Sequence, residues 1–133
     1  MAAGKYSFSI EQGSTVDFEL AYKDSNGNPI DLTGYQARMQ LKNSVGGSTT
    51  YITLSSSLDD CGTGLNLSGS KGLNPPTSGT IGVFLSAKSS SMLTFDQAVY
   101  DLEIATGSGD CYKVTRLIEG NVKLIKEVTT GGY

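Results

Sequence analysis

The chain has 133 residues, with 10 Lys or Arg against 13 Asp or Glu for a net charge of −3. Its hydrophobic share of 38% and charged share of 17% both fall short of an ordinary domain, and Gly (17 residues), Ser and Thr fill the gap. This excludes a helix bundle or coiled coil and allows one domain, while the absence of His excludes a His-based triad, a Cys–His dyad and His-containing zinc sites.

The organising signal is period two. Tyr6, Phe8 and Ile10 alternate with Lys5, Ser7, Ser9 and Glu11. After a tight hairpin turn at Gln12-Gly13-Ser14, the set Val16, Phe18, Leu20 and Tyr22 alternates with Asp17, Glu19 and Ala21. Asp24 to Pro29 holds an Asn-Gly turn, and Tyr35, Ala37, Met39 and Leu41 then alternate with Gln36, Arg38 and Gln40. Each alternation puts apolar side chains on one face of a strand and polar ones on the other. Antiparallel sheets with one wet face read this way, whereas buried parallel strands read as unbroken apolar runs.

Further strands are predicted at Tyr51–Leu54, Leu65–Leu67, Thr80–Ser86 and Ala98–Ile104. Ser86 or Ser89 caps a single helical turn before Leu93. Gly107 to Asp110 is a turn, and Tyr112–Ile118 and Asn121–Val128 end the chain with Gly120 between them as a bulge or bend. Leu58 to Ser78 is repeatedly broken by Gly and Pro and reads as a long irregular excursion. The expected fold is an all-β, immunoglobulin-like antiparallel β-sandwich of about seven to eight strands, with a closed barrel as the alternative. Residues 1–133 form one domain with an N-terminal arm (Ala2 to Ser9) and a short tail (Thr129 to Tyr133).

The candidates for chemistry are thin. Asp24, Asn26, Asn28 and Asp31 alternate like calcium ligands, but Pro29 and Tyr35 stand where a calcium loop needs Gly and Glu, so an Asx-type turn is expected. Asp59-Asp60-Cys61 reads as solvated loop acids. Asp17 with Glu19, and Asp101 with Glu103, share a strand face as glycosidase carboxylates would, but at polar positions of half-buried strands. Ser89-Ser90-Ser91 has no base, and the glycine clusters lack a phosphate loop's Lys-Ser or Lys-Thr. No enzyme, metal or cofactor is expected. A pI near 4.8 and the lack of a basic stripe argue against nucleic acid. No segment has the ~20 apolar residues of a membrane helix. No signal peptide is expected from the opening residues, so the reading is a soluble chain whose Cys61 and Cys111 are reduced. Tyr6, Tyr22, Tyr35 and Tyr100 fall on apolar phases and are expected in the core; Tyr51, Tyr112 and Tyr133 are left as possible sugar-stacking rings. Phe84 and Val99 lie on phases that should face water, which means either a surface covered by a partner or by the excursion, or a phase assigned the wrong way round.

The stretch Asp24-Ser25-Asn26-Gly27-Asn28-Pro29-Ile30-Asp31-Leu32-Thr33-Gly34-Tyr35 into the Arg38 strand resembles a short β-sandwich module of tailed-bacteriophage structural proteins. So do Gln12-Gly13-Ser14-Thr15, the Tyr100-Asp101-Leu102 strand, Arg116-Leu117-Ile118-Glu119-Gly120 and Val128-Thr129. Similar modules form the N-terminal part of baseplate upper proteins or stand alone as small virion proteins. The likeness spans most of the chain except Asn43 to Ser78. It implies a non-enzymatic virion protein, assembled in the host cytoplasm; the placement expected first is the tail or baseplate, as an adaptor or attachment subunit. A head decoration or neck protein is the alternative placement, and a host-glycan binding module the alternative of another class. The implied partners are other virion proteins and copies of itself. Interface candidates are Tyr6, Phe8 and Tyr133 on the arms, Phe84 and Val99 on wet phases, and Arg38 and Arg116, each expected to pair with a carboxylate such as Glu119 or Asp101 or with a neighbour.

Overall fold

A computed structural model describes residues 4–69, 72, 74–107 and 109–130. Among them are nine strands: β1 (Gly4–Lys5), β2 (Phe8–Glu11), β3 (Val16–Ala21), β4 (Gln36–Lys42), β5 (Thr50–Ser55), β6 (Gly64–Asn66), β7 (Thr80–Leu85), β8 (Gln97–Thr106) and β9 (Lys113–Ile125). The larger sheet has the order β1-β9-β8-β4-β5, with β2 also on β9; the smaller is β3-β7-β6. The order β9-β8-β4 opposite β3-β7-β6 corresponds to strands G-F-C opposite B-E-D of an immunoglobulin domain, with β5 added beside C. The protein is an all-β, immunoglobulin-like sandwich.

The alternating side chains meet as their phases require. Ala37, Met39 and Leu41 from β4 and Ala98, Tyr100, Leu102 and Ile104 from β8 face Ile81, Val83 and Leu85 from β7, and all are buried. At roughly 1.5–3 kcal/mol for each fully buried large aliphatic side chain, this strip is the main stabilising term. The turn at Asp31 to Gly34 adds Leu32 to the core. There Asp31 Oδ1 accepts from the Thr33 amide, the Tyr35 amide donates to the Leu32 carbonyl, and Gly34 takes φ +81°. That conformation suits glycine because it lacks a Cβ. The helix forms at Ala87–Ser91 with Ser86 as its cap.

Five expectations are corrected. The pairing is not antiparallel throughout: β1 and β2 run parallel to β9, from Gly4 opposite Ile118 to Glu11 opposite Ile125. Alternation marks a half-buried strand but carries no information on its partner's direction. Gln12-Gly13-Ser14 turns the chain without making a hairpin, because β2 lies in one sheet and β3 in the other. From Gly4 onward the N-terminal segment is therefore a docked strand rather than an arm. The two C-terminal segments are one strand, β9, in which Gly120 stays in the ladder opposite Tyr100. The irregularity falls instead at Leu117, between the Ile118–Leu102 and Arg116–Glu103 pairs. Gly120 is needed for a different reason: a Cβ there would land on the Tyr6 backbone carbonyl. Finally, of the four tyrosines expected inside, only Tyr100 is buried; Tyr22 and Tyr35 are half-buried, and Tyr6 is 41% exposed at the rim.

Candidate functional site

The polar phases of β4, β8 and β9 build one outward face on the larger sheet. Cross-strand register sets its rows. One row runs Ser55, Arg38, Glu103, Arg116; the next runs Thr53, Gln40, Asp101, Glu119, Lys5; a third runs Lys42, Val99, Asn121. Neighbouring side chains on one face of a sheet lie close enough to interact, and here opposite charges alternate. Arg38 Nη2 lies 2.8 Å from Glu103 Oε1, Arg116 Nε 3.2 Å from Asp101 Oδ2, and Lys5 Nζ 2.6 Å from Glu119 Oε1. The Lys5 hydrogen bond and charge, helped by Arg116, hold the Glu119 carboxyl below its ordinary range. The face forms an open depression of about 640 Å³, rimmed at one end by Ser44 to Gly46.

One edge of this face is closed by the N-terminal strand. The buried Tyr100 hydroxyl donates to the Tyr6 carbonyl, the Tyr6 amide donates to the Glu119 carbonyl, and the Asn121 amide donates to Ser7 Oγ. Burial, with the neighbouring Tyr6, pushes the Tyr100 phenol well above its ordinary value, so it remains a donor. Beneath lies an aromatic cluster: Phe8 sits 5.1 Å from both Phe18 and Tyr100, and Tyr6 spans 6.1 Å to Phe8.

The sequence-derived candidates divide between two places. Arg38, Arg116 and Val99 come together on the outer face, and Tyr6 and Phe8 close its edge. Phe84 lies in the other sheet, opposite Asp17 and Gly64. It is half-buried, and a Cβ on Gly62 of the excursion would touch its ring. Tyr133 lies outside the described residues. Arg116 finds Asp101 as expected, but Arg38 takes Glu103 rather than Asp101 or Glu119. The Glu103 and Lys5 roles follow from cross-strand register, β4 on β8 for Glu103 and β1 on a continuous β9 for Lys5, which the sequence pattern alone does not give.

The remaining polar clusters have local explanations. Asp24 Oδ1 accepts from the Asn26 and Asn28 amides, and Asp59 Oδ1 from those of Cys61 and Thr63, so both are Asx-type turns. Among the described residues no group of three or more His, Cys, Asp or Glu is placed to hold a metal ion. Cys61 and Cys111 are exposed and unpaired. The Tyr51 ring stacks on Phe95 at 4.7 Å, while Tyr112 stays 58% exposed. No described helix is long and apolar enough to cross a membrane.

No protein-family model matches the sequence. No curated protein matches it either. Among solved structures it is similar to a chicken T-cell receptor (TCR) at 12% identity and a TM-score of 0.45, over 94% of this chain and 55% of that one. The chain thus spans about 55% of that receptor chain's length. At this level the likeness carries no weight beside the strand order, which defines the fold by itself.

Proposed function

We propose that the chain is a non-enzymatic structural subunit of a tailed-bacteriophage virion, acting in the tail or baseplate as an adaptor or attachment module. One observation carries this reading. Three of the stretches that resemble phage modules lead into β4 or fall on β8 and β9, which are adjacent strands, and exposed residues of these strands supply one charge-alternating face. Buried residues of the stretches, Leu32, Tyr100 and Leu102, supply the core beneath it. A shared module would have to keep both halves together; isolated turn signals would not.

The chemistry available on this face supports recognition rather than catalysis. Its carboxylates are engaged by arginine or lysine at contact distance. A wide, wet, ion-paired surface suits docking against a neighbouring subunit, and repetition around a symmetric particle strengthens weak contacts. The test is particle fractionation: tails are separated from heads, and the chain is quantified in each by mass spectrometry. A fixed ratio to a tail-ring protein is the expected result. Enrichment in heads would move the subunit to a decoration or neck position, and absence from both would overturn the virion reading.

A further inference from the structure

Among the described residues the sandwich has four sheet edges, and three of them are guarded. The β1/β2 edge is interrupted between Lys5 and Phe8, and β6 is only three residues long. Along β3 the exposed side chains include Asp17 and Glu19. Short strands, interruptions and charges are the devices by which sheet edges avoid pairing with other chains. The β5 edge has none of these, and the chain comes against it at the Ser55 end, where a Cβ on Gly64 would meet the Ser55 carbonyl oxygen. Thr50-Tyr51-Ile52-Thr53-Leu54-Ser55 is six residues long and contains no charge, Pro or Gly, and its other side is held regularly by β4 from Arg38–Ser55 to Leu41–Ile52. One bulge, at the Thr50 end, leaves Ile52 to Ser55 in register.

We propose that β5 is a self-association edge, pairing antiparallel with β5 of a second copy across a two-fold axis at Thr53. Residues directly opposite in an antiparallel pair share a face. With the axis at Thr53, the exposed Thr53 meets its own copy, while Ile52 meets Leu54, joining the core-facing rows of both molecules. Gln40 already donates to Thr53 Oγ1 at 3.3 Å, leaving the hydroxyl proton to be donated across the axis. The second copy is the favoured occupant on charge grounds: this uncharged strand meets itself without repulsion, despite a net charge of −3 on each chain. The alternative edge, β3, would carry Asp17 and Glu19 into the junction. A pairing this short buries less than the ~1,200 Å² of a stable interface. The dimer is therefore weak, with a dissociation constant on the order of 100 μM, and gains strength where copies are held together.

Sedimentation equilibrium tests the mass and crosslinking tests the register. The purified chain should shift from 14.0 kDa toward twice that mass as concentration rises. Thr53→Lys sets like charges opposite each other on an exposed position and should weaken association at least about tenfold with no change in the circular dichroism spectrum. In a background of Cys61→Ser and Cys111→Ser, Thr53→Cys should form a disulfide dimer on mild oxidation with diamide. Ser55→Cys should not, because its copies lie roughly 13 Å apart in this register. A monomer at every concentration to about 1 mM, association untouched by Thr53→Lys, or equal crosslinking at both positions would each overturn the proposal. The outcome is separate from the virion reading, since self-association is measured on the free chain and particle location is not.

Discussion

Gly120→Ala is the sharpest probe of how the N-terminal strand closes the fold. Gly120 has no left-handed φ, so alanine is conformationally acceptable, and the smaller entropy of the unfolded chain should favour it by ~0.4–1 kcal/mol. The contact decides the sign. The added methyl meets the Tyr6 carbonyl oxygen and carbon, both backbone atoms that cannot swing aside. If the strand stays, overpacking costs ~1–3 kcal/mol. If it lifts, the buried Tyr100 hydroxyl loses its acceptor at ~1–3 kcal/mol, and the Tyr6 amide its bond to Glu119. Either route outweighs the entropic gain and leaves a net loss of about 1–2 kcal/mol. For a chain of 133 residues that lowers the melting temperature by roughly 3–10 °C. Calorimetry should show this loss, with faster amide exchange at Tyr6. Gly4→Ala is the control, because the nearest atom to its Cβ is the Leu117 carbonyl oxygen at an ordinary 3.6 Å. A Gly120→Ala protein melting at or above the wild-type temperature would refute the close approach and the docking built on it.

Three more outcomes are expected. Tyr100→Phe removes the donor to the Tyr6 carbonyl and should cost ~1 kcal/mol, read by chemical denaturation; an unchanged midpoint would mean that the hydrogen bond contributes nothing. Ser86→Ala removes the side chain that accepts from the Ser89 amide and should cost about 1 kcal/mol, with loss of exchange protection confined to Ala87–Met92. Lys5→Ala should return the Glu119 pKa upward toward its ordinary value, followed by carboxyl NMR titration. Because the folded-state value is depressed, Glu119 stabilises the protein above its ordinary pKa, and that contribution is lost as the pH falls through the folded-state value. Wild type and variant should therefore converge in stability at acid pH, and a constant difference down to pH ~2 would contradict the assignment.

The strands were legible because period two survives wherever one face is wet and the other dry. Phases at Tyr35 to Leu41 and Ala98 to Ile104 predicted the core side chains Ala37, Met39, Leu41, Ala98, Tyr100, Leu102 and Ile104, while the phase at Val16 to Tyr22 predicted side chains that pack half-buried against that core. Direction and partner were less legible, because they depend on long-range pairing. Phe8 to Glu11 has the same alternation as an antiparallel strand, yet it lies parallel to β9 because the Gln12 to Ser14 turn moves the chain between sheets. Gly120 was recognised as special and assigned to the wrong cause: glycine between two apolar runs reads as a break, whereas here it makes room for a crossing backbone. For the candidate face, Arg38 and Arg116 stood out because they are the only arginines. Glu103 and Lys5 did not, since an acid or lysine at a polar phase is the commonest residue there.

The ion pairs of that face cannot owe their place to stability. Arg38 and Glu103 have side-chain exposures of 63% and 24%, and a pair so open to water contributes ~0–1 kcal/mol. A double-mutant cycle with Arg38→Gln and Glu103→Gln should therefore give a coupling below about 1 kcal/mol, shrinking further in salt. Each single variant should melt within a few degrees of the wild type. If the face is a docking surface in the particle, the same variants should enter tails at a reduced ratio, because charge pattern governs which surfaces meet and how fast. Coupling above ~2 kcal/mol would make the grid a structural device. Small coupling with normal incorporation would remove the face from the assembly and leave the β5 edge as the surface to pursue.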